Sequence, residues 1–159
     1  MIMTPTFTVN REAKEIVMER VFDAPRDLVW KLWTDPQMIP KWWGPVKYKT
    51  VVDKMDFRVG GQWRFIQSDS HGNEFAFHGI YREIVPFEKI SVTFNFEPIG
   101  PGHELLEVVT FEVMKGQTKM VSKAMYNSIE DLEGMVKSGM EEGYNETMER
   151  FAKLLTQHS

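Results

Sequence analysis

IEDLEGMVKSGMEEGYNETMERFAKLLTQ, residues 129–157, is the stretch on which the fold turns. Apolar side chains recur at Leu132, Met135, Val136, Met140, Tyr144, Met148, Phe151, Leu154 and Leu155. Steps of three and four mark one face of an α-helix. The other face carries Glu141, Glu142, Asn145, Glu146, Glu149, Arg150 and Lys153. Glu146 with Arg150, and Glu149 with Lys153, have the i,i+4 order that supports a helix by roughly 0.2–0.5 kcal/mol per pair. The spacing predicts a short helix over 129–137, a joint at Ser138-Gly139 and a long helix to about Thr156. Methionine fills irregular space. A stripe of Met, Gly143 and Tyr144 therefore suits a helix over a hollow as well as one over an ordinary core.

Upstream of this helix the pattern is that of strands. Glu15–Phe22 is dense in β-branched and apolar residues and reads as a strand. Asp23-Ala24-Pro25 ends it, and Pro25 can open a helix whose inner face is Leu28, Val29, Leu32 and Trp33. Thr34-Asp35-Pro36 stops that helix and starts a second short one, and Trp42-Trp43-Gly44-Pro45 follows as a rigid turn. Two adjacent tryptophans cannot both point into one core, so one of them is expected to line an opening or a partner surface. Strands are expected at 48–55, 62–67, 74–85, 89–96, 105–113 and 118–126. Gly79 is read as a bulge. A succession of hairpins makes an antiparallel sheet with one apolar and one polar face. Such a sheet curls through its twist, and the last helix is the long amphipathic element available to cover it. The chain reads as one domain over 1–159, with 1–13 loosely attached, and contains no internal repeat or linker.

Composition narrows the function. The chain has 159 residues, 42% of them apolar, and a formal net charge of −4 with dispersed basic residues. A nucleic-acid footprint is not expected. There are no cysteines, which excludes disulfides, thiolate metal sites and cysteine nucleophiles and fits a reducing, cytoplasmic setting. No signal peptide or membrane-inserting run is read. His71, His78, His103 and His158 lack a ligand spacing such as HExxH, so neither a metal nor another cofactor is expected. No GxSxG elbow or phosphate loop occurs. Ser128 with Asp131 reads as a helix cap. Arg82, Glu83, Glu107 and Glu112 lie on strands and are read as the solvated face. Catalysis stays open, because a buried carboxylate would titrate high and a cavity can accelerate a reaction by orientation alone.

Several runs then carry a family resemblance. They are Arg20-Val21-Phe22-Asp23-Ala24-Pro25, Trp33-Thr34-Asp35-Pro36, Trp42-Trp43-Gly44-Pro45, Val59-Gly60-Gly61-Gln62-Trp63, Gly79-Ile80-Tyr81-Arg82-Glu83-Ile84-Val85-Pro86 and Gly139-Met140-Glu141-Glu142-Gly143-Tyr144. The chain resembles the START-like (SRPBCC) superfamily, in the branch of homologues of the activator of heat-shock-protein-90 ATPase. Tyr144 departs from that branch, which usually has Trp there. The resemblance implies an α+β helix-grip fold: a curved antiparallel sheet of about six to seven strands around a long C-terminal helix, enclosing a cavity. Relatives include lipid carriers, polyketide cyclases and an enediyne-resistance protein, so the superfamily fixes fold better than function.

With the sheet faces as read, Trp63, Phe65, Phe94, Phe96, Phe111, Met120, Ser122 and Tyr126 point toward Met140, Tyr144 and Met148, and with Trp43 they form the expected ligand-binding lining. The expectation is a binding protein for a small hydrophobic molecule such as a lipid, polyketide or aromatic metabolite. A cyclase- or hydrolase-type enzyme using the same cavity is one alternative. A chaperone partner or other interaction module, anchored by the exposed member of the Trp42-Trp43 pair, is another. A symmetric homodimer is compatible with the sequence.

Overall fold

The structure, a computed structural model, describes residues 5–158. Eight strands form one antiparallel sheet: β1 (Thr6–Asn10), β2 (Glu15–Phe22), β3 (Lys49–Met55), β4 (Gln62–Ser68), β5 (Glu74–Val85), β6 (Lys89–Phe96), β7 (Leu105–Met114) and β8 (Gln117–Met125). Their order across the sheet is β1-β2-β8-β7-β6-β5-β4-β3. Helices α1 (Arg26–Thr34) and α2 (Ile39–Trp42) connect β2 to β3, and α3 (Ile129–Lys137) and α4 (Met140–His158) end the chain. This is the helix-grip arrangement, a curved sheet closed over by a terminal helix.

The extra strand is β1. Residues 1–13 were expected to be loosely attached, yet Thr6–Asn10 pairs with β2 in the register Thr6↔Glu19 to Asn10↔Glu15. Phe7 and Val9 alternate inward and pack on the cluster around Ile16 and Met18, which is why the strand holds. Residues 1–4 of that expectation lie outside the described residues.

The joint between α3 and α4 falls where the pattern breaks. Ser128 caps α3 by accepting from the Asp131 amide at 3.1 Å. Ser138 ends α3, and Gly139 turns the chain with φ +86, a conformation that suits glycine. The anticipated i,i+4 pairs give way to tertiary partners. Arg20 of β2 donates to Glu149 at 2.6 Å, and Arg150 donates to the carbonyls of Gly44 (2.5 Å) and Lys41 (3.0 Å). Gly79 is not a bulge; the register between β5 and β6 shifts between Tyr81 and Glu83 instead. Gly79 is needed because a Cβ there would lie 1.8 Å from the Thr93 carbonyl oxygen.

The second half of α4 is packed hard. Its Phe151, Leu154 and Leu155, with Met148 at the midpoint, are buried against Phe22, Trp30, Phe111 and Met120. Phe151 meets Phe22 edge-on at 5.2 Å and Trp42 at 4.9 Å, the geometry that aromatic quadrupoles favour. The Trp42 indole also donates to the Leu32 carbonyl at 3.1 Å, locking α2 onto α1.

Candidate functional site

The first half of α4 spans a hollow instead. Alternation along β7 sends Leu105, Glu107, Val109 and Phe111 to the concave face. Register sets Glu107 opposite Ala124 of β8 on one side and Val92 of β6 on the other. Ala124 and its inward neighbour Ser122 are small, so the sheet is shallow there. Above them lie Met135 of α3 and Met140, Gly143, Tyr144 and Met148 of α4, and beside them the turn carrying Trp43. What remains between is a space of about 550 Å³. Ligand pockets commonly run from about 300 to 1,000 Å³. A deeper pocket of about 70 Å³ adjoins it, lined by Trp63, Phe65 and Tyr81 among others. Trp33, Trp42, Trp43, Phe94 and Glu107 line both, which sets Glu107 at their junction.

The polar groups of this hollow are few and poorly satisfied. Glu107 forms no hydrogen bond or ion pair among the described residues. Its side chain is half-buried, and the part that stays accessible faces the hollow. The protein packed around the carboxyl limits its solvation, and desolvation pushes it up to about 7. The Tyr144 hydroxyl is buried without a partner. The Tyr126 hydroxyl has only the Met140 sulfur, at 3.8 Å. Burial raises both phenols, and the nearby Glu107 charge raises them further. The Trp63 indole N–H, at the edge of the deeper pocket, is a second orphan. Buried polar groups are usually paired, so two orphans, a weakly paired phenol and an unpaired carboxyl around two adjoining spaces are notable.

The outer face of the sheet is a different environment. Glu97 accepts two hydrogen bonds from Arg64, at 2.8 and 3.0 Å, and lies 2.9 Å from His78. Arg64 chiefly, with His78, holds its carboxyl down at about 2. His103 pairs with Asp131 at 2.8 Å. Among the described residues no three histidine or carboxylate side chains come together as a metal site.

Of the expected lining, Trp43, Phe94, Ser122, Tyr126, Met140, Tyr144 and Met148 surround the hollow, and Trp63 and Phe65 border the deeper pocket. Phe111, Met120 and Phe96 do not line either space. Phe111 and Met120 share the inward face but lie further along the sheet, under Trp30, Trp33 and the packed half of α4. Phe96 stacks on Phe77 at 5.0 Å. The Trp pair offers no exposed anchor: Trp42 is buried, and Trp43 sits edge-on to Phe65 (5.1 Å) and Phe77 (5.0 Å). The solvated reading holds for Arg82, Glu83 and Glu112, which are exposed, and fails for Glu107. Its parity with Leu105, Val109 and Phe111 was the available signal.

No curated protein matches the chain. Solved structures do. A protein from Arthrobacter aurescens is 24% identical, with a TM-score of 0.88 over 96% of this chain and 91% of its own. One from Mycobacterium smegmatis is 23% identical, with a TM-score of 0.85 over 98% and 100%. The AHSA1 protein of Silicibacter pomeroyi is 19% identical, with a TM-score of 0.76 over 91% and 99%. At these identities the likeness establishes the shared fold. No helix among the described residues is long and apolar enough to cross a membrane. Residues 23–156 match the model of the family described as activator of Hsp90 ATPase homolog 1-like protein, which is consistent with a ligand-binding or interaction module, and the chain belongs to that family.

Proposed function

We propose that the protein binds a small hydrophobic molecule in the hollow beneath the first half of α4. The observation that carries this reading is a largely apolar space of about 550 Å³ into which the Glu107 carboxyl opens without a partner among the described residues. Leaving such space costs packing energy, and leaving a carboxyl unpaired costs more. A guest that fills the one and engages the other offsets both. Aromatic walls at Trp33, Trp43, Phe77 and Phe94 supply shape and dispersion contact, and the tyrosine hydroxyls give orientation.

The test is a fluorescence titration with the neutral probe N-phenyl-1-naphthylamine, read by its emission and by quenching of tryptophan. The expected result is saturable one-to-one binding, weakened at least tenfold by Ala124→Phe, which fills the floor of the hollow. Ligand-free Ala124→Phe should keep the wild-type circular dichroism spectrum. Binding that does not saturate, or that Ala124→Phe leaves unchanged, contradicts the reading.

A catalytic role is the second reading, and Glu107 favours it. A carboxyl titrating near neutrality in a largely apolar hollow is suited to proton transfer. Turnover of a bound carbon acid or ester that Glu107→Gln abolishes would establish it.

A further inference from the structure

The charge inventory of the hollow narrows the guest. Among the described residues three carboxylates line it, Glu107 at the floor and Glu142 and Glu146 toward the rim, against one cation, Lys47. Lys47 is exposed, and its ammonium lies 5.2 Å from the Tyr48 ring centroid, at the rim rather than the floor. Arg20, whose charge also acts on Tyr144, is engaged by Glu149 at 2.6 Å and does not line the space. The groups facing Glu107 within the hollow are thus the hydroxyls of Tyr126 and Tyr144, both neutral, and among the described residues no cation answers the carboxylate. An ionised group in a poorly solvating space is satisfied by an opposite charge and hydrogen-bond donors brought to it. The surrounding ring faces attract cations as well, through the quadrupole of Trp and Tyr.

We infer that the hollow takes an aromatic or alicyclic molecule bearing a primary or secondary amine, with its ammonium group against Glu107 and its ring between Trp43, Phe94 and Tyr144. This rests on the binding reading above and deepens it. A carboxylic acid of the same skeleton would bring like charge to the floor. An alcohol would fill the space but leave the charge unanswered. The ammonium also prefers the ionised carboxyl, so its advantage declines as pH falls below about 7, where Glu107 takes up its proton. The amine itself stays protonated over that range, as a lysine side chain does.

Calorimetric titration with 2-(2-naphthyl)ethylamine, 2-(2-naphthyl)ethanol and 2-naphthylacetic acid tests this. At pH 8 the amine is expected to bind at least tenfold more tightly than the alcohol, and the acid more weakly than either. Glu107→Gln keeps Lys47, Glu142 and Glu146, so it isolates the floor carboxyl. It should bring amine and alcohol within about twofold by weakening the amine. Should that variant fail to fold, the wild type alone decides: its amine-to-alcohol ratio must fall at least fivefold between pH 8 and pH 5.5. Alcohol and amine binding equally at pH 8, or a preference indifferent to both pH and Glu107→Gln, overturns the amine assignment and leaves the hydrophobic-binding reading standing. Binding of none of the three overturns both.

Discussion

The two halves of α4 lie over the same sheet and meet opposite fates. Under the second half, Phe151 closes against Phe22 and Trp42, and Phe111 and Met120 complete a filled core. Under the first half, Tyr144 and Met140 look across to Ser122, Ala124 and Glu107, and room is left over. The backbone architecture is continuous from one to the other. What differs is side-chain volume at the inward positions of β7 and β8: Phe111 pairs with Met120, whereas Glu107 pairs with Ala124. One sheet thus supplies a stabilising end and a receiving end. The receiving end bears its costs, an unpaired carboxyl and orphan hydroxyl, because the other end holds the fold.

Breaking the packed end should have the largest effect. Phe151→Ala removes a fully buried ring from the aromatic cluster and is expected to cost about 3–5 kcal/mol, read from urea unfolding. A cost below about 1 kcal/mol would show that this half is as loosely filled as the other.

The receiving end predicts an unusual pH dependence. Glu107 titrates higher in the folded protein, about 7, than its ordinary 4.5. The folded state therefore binds more protons between these values, and stability falls as pH rises through them. The whole shift is worth on the order of 3 kcal/mol. Glu107→Gln abolishes this slope. Its stability relative to wild type should improve by about that amount between pH 4 and pH 8, measured by urea unfolding at both. The comparison across pH cancels the cost of the buried amide itself. A difference that does not change with pH would mean that the carboxyl is well solvated.

Tyr144→Phe sharpens the contrast further. Removing a buried hydroxyl that has no partner should leave stability unchanged or raise it by up to about 1 kcal/mol, seen as a higher thermal midpoint. Loss of stability would reveal a partner for that hydroxyl, such as a bound water. The smallest effect belongs to the outer face. Glu97→Gln breaks the contacts with Arg64 and His78, yet both partners of the Arg64 pair are about one-third exposed, so its cost at pH 7 should stay below about 1 kcal/mol in the same assay.

The sequence discloses the fold more fully than the site, and particular residues show why. Strand alternation at Trp63 and Phe65, and the three-and-four spacing from Leu132 to Leu155, are local patterns that burial imposes directly. Thr6–Asn10 escaped because a short edge strand announces itself only through the partner it finds. Phe111 and Met120 have the same inward parity as Ser122, so alternation cannot tell a filled layer from an empty one. That depends on what crosses overhead, here Trp30 and Phe151, and such crossings are set by tertiary packing. Glu107 was concealed for another reason. A glutamate on a strand is ordinarily solvated, and that expectation outweighed a parity that pointed inward.

Glu107 stands as an unpaired carboxyl at the floor of a largely apolar hollow. Carbon-13 NMR titration of the Glu107 side chain tests it most directly, first in the free protein and then with saturating 2-(2-naphthyl)ethylamine. A midpoint near 7 is expected in the free protein, moving down once the amine is bound. A free midpoint at the ordinary glutamate value would contradict it, since that carboxyl would then be in water.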